Sequence, residues 1–297
     1  LQIMQVIVRA VGGAIRFVVG TKAVESLNAA ANIFIGQTEA PLVVRPYLKS
    51  LTDAQWFALM VSGVASIAGT VLLAYVQLGA ELKYLLAASF MAAPGGLLMA
   101  KIIMPDEEQE SASEDDEHLK LGKSEHENVI LAAAVGSADG LRLAVNIGAM
   151  LIAFIALIAL LNGVIGGVAG LVGIEGLTLQ KMLGWLFSPL MWLLSIPWEE
   201  AQAAGALFGE KLILNEFVAF SNLNEYLAGM SERTRAITTF ALCGFANLSS
   251  IAILLGGLGS LVPEKKDLIA RFGIKAVAAG SLSNLMSAAL AGLLLPV

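Results

Sequence analysis

Long uncharged apolar runs alternate with short polar interruptions along this chain. Uncharged runs occupy residues 54–80, 145–174, 236–263 and 276–297, and a shorter run lies between Lys83 and Lys101. Each of the four longer runs exceeds the roughly 20 residues that a helix needs to cross a bilayer. Because lipid cannot hydrogen-bond to the backbone, only helices fit this pattern. The pattern predicts five spanning helices, at residues 54–79, 84–103, 145–172, 236–257 and 274–295.

Two further segments are too short and too polar for ordinary spans, at residues 21–50 and 199–227. Each has a run of small residues, a polar turn and a second apolar arm. Irregular backbone is tolerated at membrane depth only where protein or a water-filled cavity surrounds it. We therefore predict two re-entrant hairpins, whose half-helix ends offer N–H groups and carbonyls to solutes and ions.

One short pattern occurs twice, once in each half of the chain. Residues 36–42 (GQTEAPL) are followed, 24 residues after the glutamate, by residues 63–67 (GVASI). Residues 214–220 (LNEFVAF) are followed, 28 residues after the glutamate, by residues 244–248 (GFANL). Paired broken segments in two halves are typical of transporters built from inverted repeats. The predicted fold is an all-α polytopic membrane protein with inverted repeats, two re-entrant helical hairpins and interrupted transmembrane helices.

The predicted organisation has five parts. Residues 1–20 would be the tail of a helix that continues from residues not present here, followed by an interfacial helix, and residues 105–128 an acidic cytoplasmic loop. The first repeat would occupy residues 21–104, with its hairpin at 21–50. Residues 129–175 would hold an interfacial segment, at 129–143, and a long scaffold span. The second repeat would occupy residues 176–297, with a surface helix at 177–196 and a hairpin at 199–227.

Composition and charge agree with a membrane protein. Apolar residues make up 57% of the chain and charged residues 14%, against roughly 45–50% and about 25% in soluble domains. The net charge of −6 is concentrated in the acidic loop, whose His118 and His126 we interpret as solvated rather than metal-binding. The single Cys243 excludes an internal disulfide. We expect the lipid bilayer as surroundings and no nucleic-acid partner.

The distribution of basic residues indicates an orientation, because cytoplasmic segments carry an excess of Lys and Arg. If the first hairpin enters from the cytoplasm, the two hairpins have opposite orientation. The cytoplasmic side then holds Arg45, Lys49, Lys101, Arg142, Lys265, Lys266, Arg271 and Lys275, and the other side holds Lys83, Lys181, Arg233 and Arg235.

Three motifs resemble those of one family, the concentrative nucleoside transporters. Residues 209–220 (GEKLILNEFVAF) look like its signature, with Gly209, Lys211 and residues 215–220 at the matching positions. Residues 36–42 resemble its first-hairpin motif, and residues 245–250 (FANLSS) resemble its second substrate-helix motif. The resemblance implies a site formed by the two hairpins and two interrupted helices, held by a scaffold domain in a homotrimer. Family members also have about three further helices at the N-terminus.

The resemblance also implies roles for individual residues. The ribose hydroxyls would be held by Glu216, Asn247 and Ser250, and the base edge would be read by Gln37, Thr38 and Glu39. Phe245 would pack on the base and Val71 would line its pocket. A nucleoside needs such a polar site, because each unpaired buried group costs about 1–3 kcal/mol. The alternatives are helix–helix hydrogen bonds for Asn247 and Ser250, capping for Gln37 and Thr38, and plain packing for Phe245 and Val71.

Uphill transport needs a coupled ion, and the resemblance implies sodium. Asn32 and Ser66 match the side-chain ligands of sodium-dependent members, and Ile35 and Ile67 would supply backbone carbonyls. Asn32 could instead cap a half-helix, and Ser66 could bond the carbonyl four residues earlier. A proton-coupled transporter would use a titrating carboxylate, Glu39 or Glu216.

The predicted function is therefore sodium-driven import of nucleosides by alternating access in a cell inner membrane, with a pyrimidine such as uridine favoured. The alternatives are proton coupling, or another polar solute on the same architecture. An intramembrane enzyme is not predicted, since neither glutamate has a convincing nucleophile or metal set nearby in the sequence.

Overall fold

The computed structural model describes residues 3–106 and 129–296, and these residues form helices and connecting turns without any strand. The acidic loop, with His118 and His126, lies outside this part except for its first two residues. The α-helices in the described residues are α1 (Ile3–Val19), α2 (Ala23–Phe34), α3 (Ala40–Val43), α4 (Asp53–Ala65), α5 (Leu72–Gln77), α6 (Leu82–Ile103), α7 (Val129–Leu171), α8 (Leu179–Leu193), α9 (Trp198–Ile213), α10 (Glu216–Tyr226), α11 (Glu232–Leu242), α12 (Ser249–Leu261) and α13 (Lys266–Leu294).

Four of the five predicted spans correspond to segments that are long and apolar enough to cross a membrane. Within the described residues these segments are Asp53–Gln77, Leu82–Ile103, Ala144–Leu171 and Pro263–Leu294. The fifth predicted span, at residues 236–257, is not one continuous helix. There the chain forms two short helices, α11 and α12, because the backbone leaves the helical path at residues 243–248.

The first hairpin consists of α2 and the shorter α3. Helix α2 begins where the Lys22 backbone N–H donates to the Glu25 carboxylate at 3.0 Å. It ends at Ile35, whose N–H still bonds the Ala31 carbonyl at 2.9 Å. A turn closed by the Glu39 N–H on the Gly36 carbonyl, at 3.1 Å, leads into α3. A 3-10 segment, Arg45–Ser50, completes the returning arm.

The second hairpin has two longer arms, α9 and α10. At its tip, the Asn215 side chain caps α10 by accepting from the Val218 N–H at 2.9 Å. This satisfies one of the N–H groups that every helix start leaves without an intrahelical partner. The arms are joined by the amide of Asn222, which donates to both carboxylate oxygens of Glu210 at 3.0 and 3.1 Å.

Both repeats contain an interrupted helix after the hairpin. In the first repeat, α4 ends at Ala65, and a 3-10 segment at Gly69–Val71 precedes α5. Residues 63–67 (GVASI) therefore lead into an interruption that falls inside the predicted span at residues 54–79. Gly69 allows a close approach here, since an added Cβ would lie 3.2 Å from the carbonyl oxygens of Ile33 and Phe34.

Helix α7 is continuous from Val129 to Leu171. It passes without a break through the boundary near residue 144 at which the sequence suggested that an interfacial segment gives way to a span. Most of its described apolar side chains are exposed, including Ile152 and Leu160. Helix α7 thus stands beside the packed body of the protein.

The packed part of the protein contains two clusters of buried apolar residues. The first packs the hairpin α2–α3 against α4, α12 and α13, with Trp56 and Phe57 at its centre. The second packs the hairpin α9–α10 against α5 and α11, with Tyr75, Phe217 and Phe220 at its centre. Helices α6 and α13 contribute to both clusters, so each hairpin has its own core while the interrupted helices lie between them.

Candidate functional site

The two helix interruptions touch each other directly. The Phe245 N–H, in the second interruption, donates to the Ser66 carbonyl in the first at 3.1 Å. The second interruption also meets the second hairpin, because the Leu248 N–H donates to the Leu212 carbonyl at 3.1 Å. Backbone groups that a broken helix leaves without intrahelical partners are thus paired across elements. Both repeats contribute to one junction.

Glu216 is the acidic centre of this junction. It is the first residue of α10 and only 4% exposed. Its Oε1 accepts from the Tyr75 hydroxyl at 3.1 Å and its Oε2 accepts from the Asn247 amide at 2.9 Å. A buried carboxylate in a membrane protein is costly and marks a functional site by default. Here it is held by donors from α5 and from the second interruption, and it can accept further hydrogen bonds.

Asn247 and Ser250, which the sequence analysis grouped with Glu216, belong to the same network. The Asn247 Oδ1 accepts from the Ser250 N–H at 2.9 Å and from the Ser249 hydroxyl at 2.7 Å. The Ser250 hydroxyl donates to the Phe245 carbonyl. The capping oxygen of Asn247 fixes its amide, so that the NH₂ group points at Glu216. The structure therefore brings the predicted ribose group together.

The predicted base-reading residues lie on the first hairpin's tip. Gln37 is buried and its Oε1 has no hydrogen-bond partner among the described residues. The Thr38 hydroxyl donates to Glu39 Oε1 at 2.8 Å, and Glu39 is exposed. The tip packs on glycines: an added Cβ at Gly63 would lie 3.1 Å from Gln37 Cβ, and one at Gly257 2.5 Å from Thr38 Cγ2.

No hydrogen bond within the described residues joins Glu39 to Glu216. The two predicted apolar residues of the site, Val71 and Phe245, belong to the apolar cluster of the second hairpin. Val71 is buried in that cluster, and the half-buried Phe245 packs against it. The Tyr75 ring lies 4.5 Å from that of Phe220 and 4.8 Å from that of Phe217, centroid to centroid. Aromatic packing therefore positions the hydroxyl that bonds Glu216.

The predicted ion ligands lie between α2 and the first interruption. Asn32 is 1% exposed; its amide donates to the Ser62 hydroxyl at 3.3 Å, and its Oδ1 has no partner among the described residues. Ser66 donates to the Ser62 carbonyl at 2.9 Å, the local bond that the sequence analysis named as an alternative. Ile67 is buried, and Ile35 is half-buried at the end of α2. Buried neutral oxygens with one acceptor unused fit a hard monovalent cation.

Sequence reasoning missed several residues of this junction. Tyr75 carried no local signal, since its role depends on α10. Ser62 was also missed, although it binds the amides of both Asn28 and Asn32. Asn284 could have been found, because it is the only amide residue in the uncharged run at residues 276–297. A lone amide in a spanning helix usually has a hydrogen-bonding role.

Comparison with known proteins decides the family. Residues 84–292 match the sequence profile of the family described as "Na+ dependent nucleoside transporter C-terminus". This chain belongs to the concentrative nucleoside transporter family. Over 298 residues it is 54% identical to the nucleoside permease NupC of Helicobacter pylori, covering 99% of this chain and 70% of that protein. It is 39% identical to human sodium/nucleoside cotransporter 1, covering 98% of this chain and 47% of that protein.

Solved structures of the same family match the fold. The chain is 52% identical to CNTnw in an inward-facing substrate-bound state, with a TM-score of 0.90, covering 98% of this chain and 70% of that one. Its TM-score to CNTnw in the intermediate 1 state is 0.93, at 53% identity, covering 99% and 72%. The family resemblance, the all-α polytopic membrane fold and the assignment to transporters rather than enzymes are confirmed.

Proposed function

We propose that this protein is a secondary active symporter that imports nucleosides together with sodium, by alternating access, across a cell inner membrane. The observation that carries the proposal is the junction at Glu216. There a buried carboxylate is held by Tyr75 and Asn247, and the segment that carries Asn247 is hydrogen-bonded through the Phe245 N–H to the Ser66 carbonyl, next to the residues suited to an ion. The family assignment supports the substrate class.

The ribose would bind at the second hairpin. Its hydroxyls are donors, and an ionised Glu216 would have capacity for more than the two donors it now has. Charge-assisted hydrogen bonds are roughly twice as strong as neutral ones. Asn247 would complete this recognition through its amide, and Ser250 would do so by holding Asn247 in register. Removal of a hydroxyl that bonds Glu216 would lose one such charge-assisted hydrogen bond.

The base would bind between the first hairpin and the apolar wall. Gln37 has a buried carbonyl oxygen without a partner in the described residues, and Thr38 and Glu39 are next to it at the tip. These groups would pair with the base edge, directly or through water, while Phe245 packs on the ring and Val71 lines the pocket. A pyrimidine such as uridine is the favoured base of this proposal.

Sodium would bind to the Asn32 and Ser66 side chains and to the carbonyls of Ile35 and Ile67. Both Ser66 and Ile67 belong to the first interruption, and the Ser66 carbonyl holds the Phe245 N–H. An ion bound there would order the backbone against which the nucleoside site is built. Linkage then requires that sodium raises nucleoside affinity and that nucleoside raises sodium affinity by the same factor.

In the transport cycle, the two hairpins with α4, α5, α11 and α12 would move against a scaffold that includes residues 1–20 and α7. The largely apolar surface of α7 suits contact with lipid and with further helices. We propose a homotrimer of such units, since the family resemblance implies it.

Uptake of labelled uridine into proteoliposomes tests the proposal. An inward sodium gradient should drive accumulation above the equilibrium level, and replacing sodium with choline should abolish it. Accumulation that ignores sodium but follows a pH gradient would assign coupling to protons, with Glu39 or Glu216 as carrier. Failure to accumulate any nucleoside under either gradient would overturn the proposed substrate class.

A further inference from the structure

A fully buried lysine lies behind the junction. Lys211, on α9, is 0% exposed, and its Nζ donates to the Asn284 Oδ1 at 2.7 Å and to the Ala241 carbonyl at 3.2 Å. Burying an ammonium group is expensive unless it is paired and hydrogen-bonded. Neither hydrogen-bond partner is a carboxylate; the Glu216 carboxylate of the same hairpin acts on this ammonium electrostatically, without a hydrogen bond between them.

Asn284, which accepts from Lys211, contacts the ends of two helices. It is 2% exposed on α13, and its amide NH₂ donates to the Ala65 carbonyl at 2.7 Å and to the Cys243 carbonyl at 2.9 Å. Ala65 is the last residue of α4, and Cys243 directly follows α11. The carbonyls at helix C-termini lack intrahelical partners and carry partial negative charge. One side chain therefore satisfies the ends of both interrupted helices at the same time.

The surrounding glycines show that this contact requires close approach. A Cβ added to Gly244 would lie 2.5 Å from the Ala65 carbonyl oxygen and 2.6 Å from the Asn284 amide nitrogen. A Cβ added to Gly280, one turn before Asn284, would lie 3.1 Å from Ala246 Cβ and 3.2 Å from the Ala65 nitrogen. Side chains at either glycine would push α13 away from the interruptions.

We propose that Lys211 and Asn284 are positioning residues that couple the proposed sodium ligands to the proposed nucleoside-binding residues. The proposed ion ligands Ser66 and Ile67 are the two residues after Ala65. Phe245 and Asn247 lie in the segment that begins after Cys243 and Gly244. Asn284 holds the start of both segments, and Lys211 ties Asn284 to the hairpin that carries Glu216. Order imposed on one interruption is thereby transmitted to the other. The inference rests on the proposed function and adds the route of coupling to it.

The test measures coupling rather than activity. The dissociation constant of uridine is measured by titration calorimetry on purified full-length protein, with saturating sodium and with choline in its place. The ratio of the two constants is the coupling factor. In Asn284→Asp, the new carboxylate still accepts from Lys211 but cannot donate to either carbonyl. We expect the coupling factor to fall about fivefold or more, within the usual range of such couplings, and to fall similarly in Lys211→Met.

Two further variants separate positioning from packing. Ser283→Ala alters the adjacent buried residue of α13, whose hydroxyl has no partner among the described residues, and should keep the wild-type coupling factor. Lys211→Arg keeps the charge and should retain part of the coupling that Lys211→Met loses. A merely structural role would lower the melting temperature of the variants without changing the coupling factor.

The outcomes are distinguishable. A wild-type coupling factor in both Asn284→Asp and Lys211→Met would overturn the inference alone. Wild-type protein whose uridine affinity is indifferent to sodium would overturn the proposed sodium coupling, and this inference with it, before any variant is examined.

Discussion

The two hairpin tips carry a glutamate at corresponding positions but place it in opposite surroundings. Glu216 is buried and is held by Tyr75 and Asn247, which come from two other elements. Glu39 is exposed, and its hydrogen bond in the described residues comes from the adjacent Thr38. Under the proposed function, this difference would mean that the repeats divide their tasks: the second tip would be organised before the nucleoside binds, and the first tip would not.

The backbone around the tips differs in the same sense. The second tip has a side-chain cap from Asn215 and leads into the eleven-residue α10. The first tip has no side-chain cap and leads into α3, which has four residues, with Pro41 near its start. A short uncapped helix opens at lower free energy than a long capped one. We therefore expect ligand binding to order the first tip more than the second.

The largest expected effect is that of Glu216→Gln. The substitution removes the charge from a buried acceptor while keeping its size. Losing charge-assisted bonds worth about 3 kcal/mol in total should weaken uridine binding about 100-fold. Uptake at fixed low uridine measures this loss. Glu210→Gln is the matched control: Glu210 is a buried glutamate of the same hairpin that bonds Asn222 rather than Tyr75 or Asn247, and the variant should retain uptake within about threefold.

The next effect is that of Asn32→Ala on the ion. Loss of one oxygen ligand should raise the sodium concentration for half-maximal uptake about 30-fold, equivalent to roughly 2 kcal/mol. Maximal uptake at saturating sodium should change less. Asn28→Ala is the control, because Asn28 also donates to Ser62, one turn away on α2. A sodium shift in Asn28→Ala without one in Asn32→Ala would refute the proposed ligand set.

Glu39→Gln tests directly whether the glutamates of the two hairpin tips differ in their contribution to uridine binding. Because Glu39 is solvated before binding, its charge contributes less net free energy than that of Glu216, and we expect about a tenfold loss of uridine affinity. Calorimetric titration of both Gln variants gives the two values side by side. If Glu39→Gln weakens binding as much as Glu216→Gln does, the proposed division of tasks is wrong.

The smallest effect is expected for Tyr75→Phe. The ring and its packing on Phe217 and Phe220 are kept, and only the hydroxyl that bonds Glu216 is lost. One hydrogen bond to a buried carboxylate corresponds to about 1 kcal/mol, or roughly a fivefold loss of uridine affinity. The melting temperature should stay near that of the wild type. Unchanged affinity would show that Tyr75 does not organise Glu216.

The spanning segments show where a sequence pattern succeeds and where it fails. Uncharged runs predicted four of the spans, because the transfer of apolar side chains into lipid depends on local composition. The run at residues 236–257 forms two helices instead of one. Its interruption at residues 243–248 keeps an apolar composition, while the backbone there hydrogen-bonds to other segments of the chain. The Ser66 and Leu212 carbonyls that pair with this interruption come from other parts of the chain.

The sequence alone determined the class of the protein and the family, because hydropathy and ordered motifs are local properties of the chain. Only the tertiary structure decided that Glu216 is enclosed while Glu39 is open, and that Lys211 and Asn284, 73 residues apart, meet behind both interruptions. The physical reason is that a buried polar group must find its partner in space, and no local spacing specifies which distant residue supplies it.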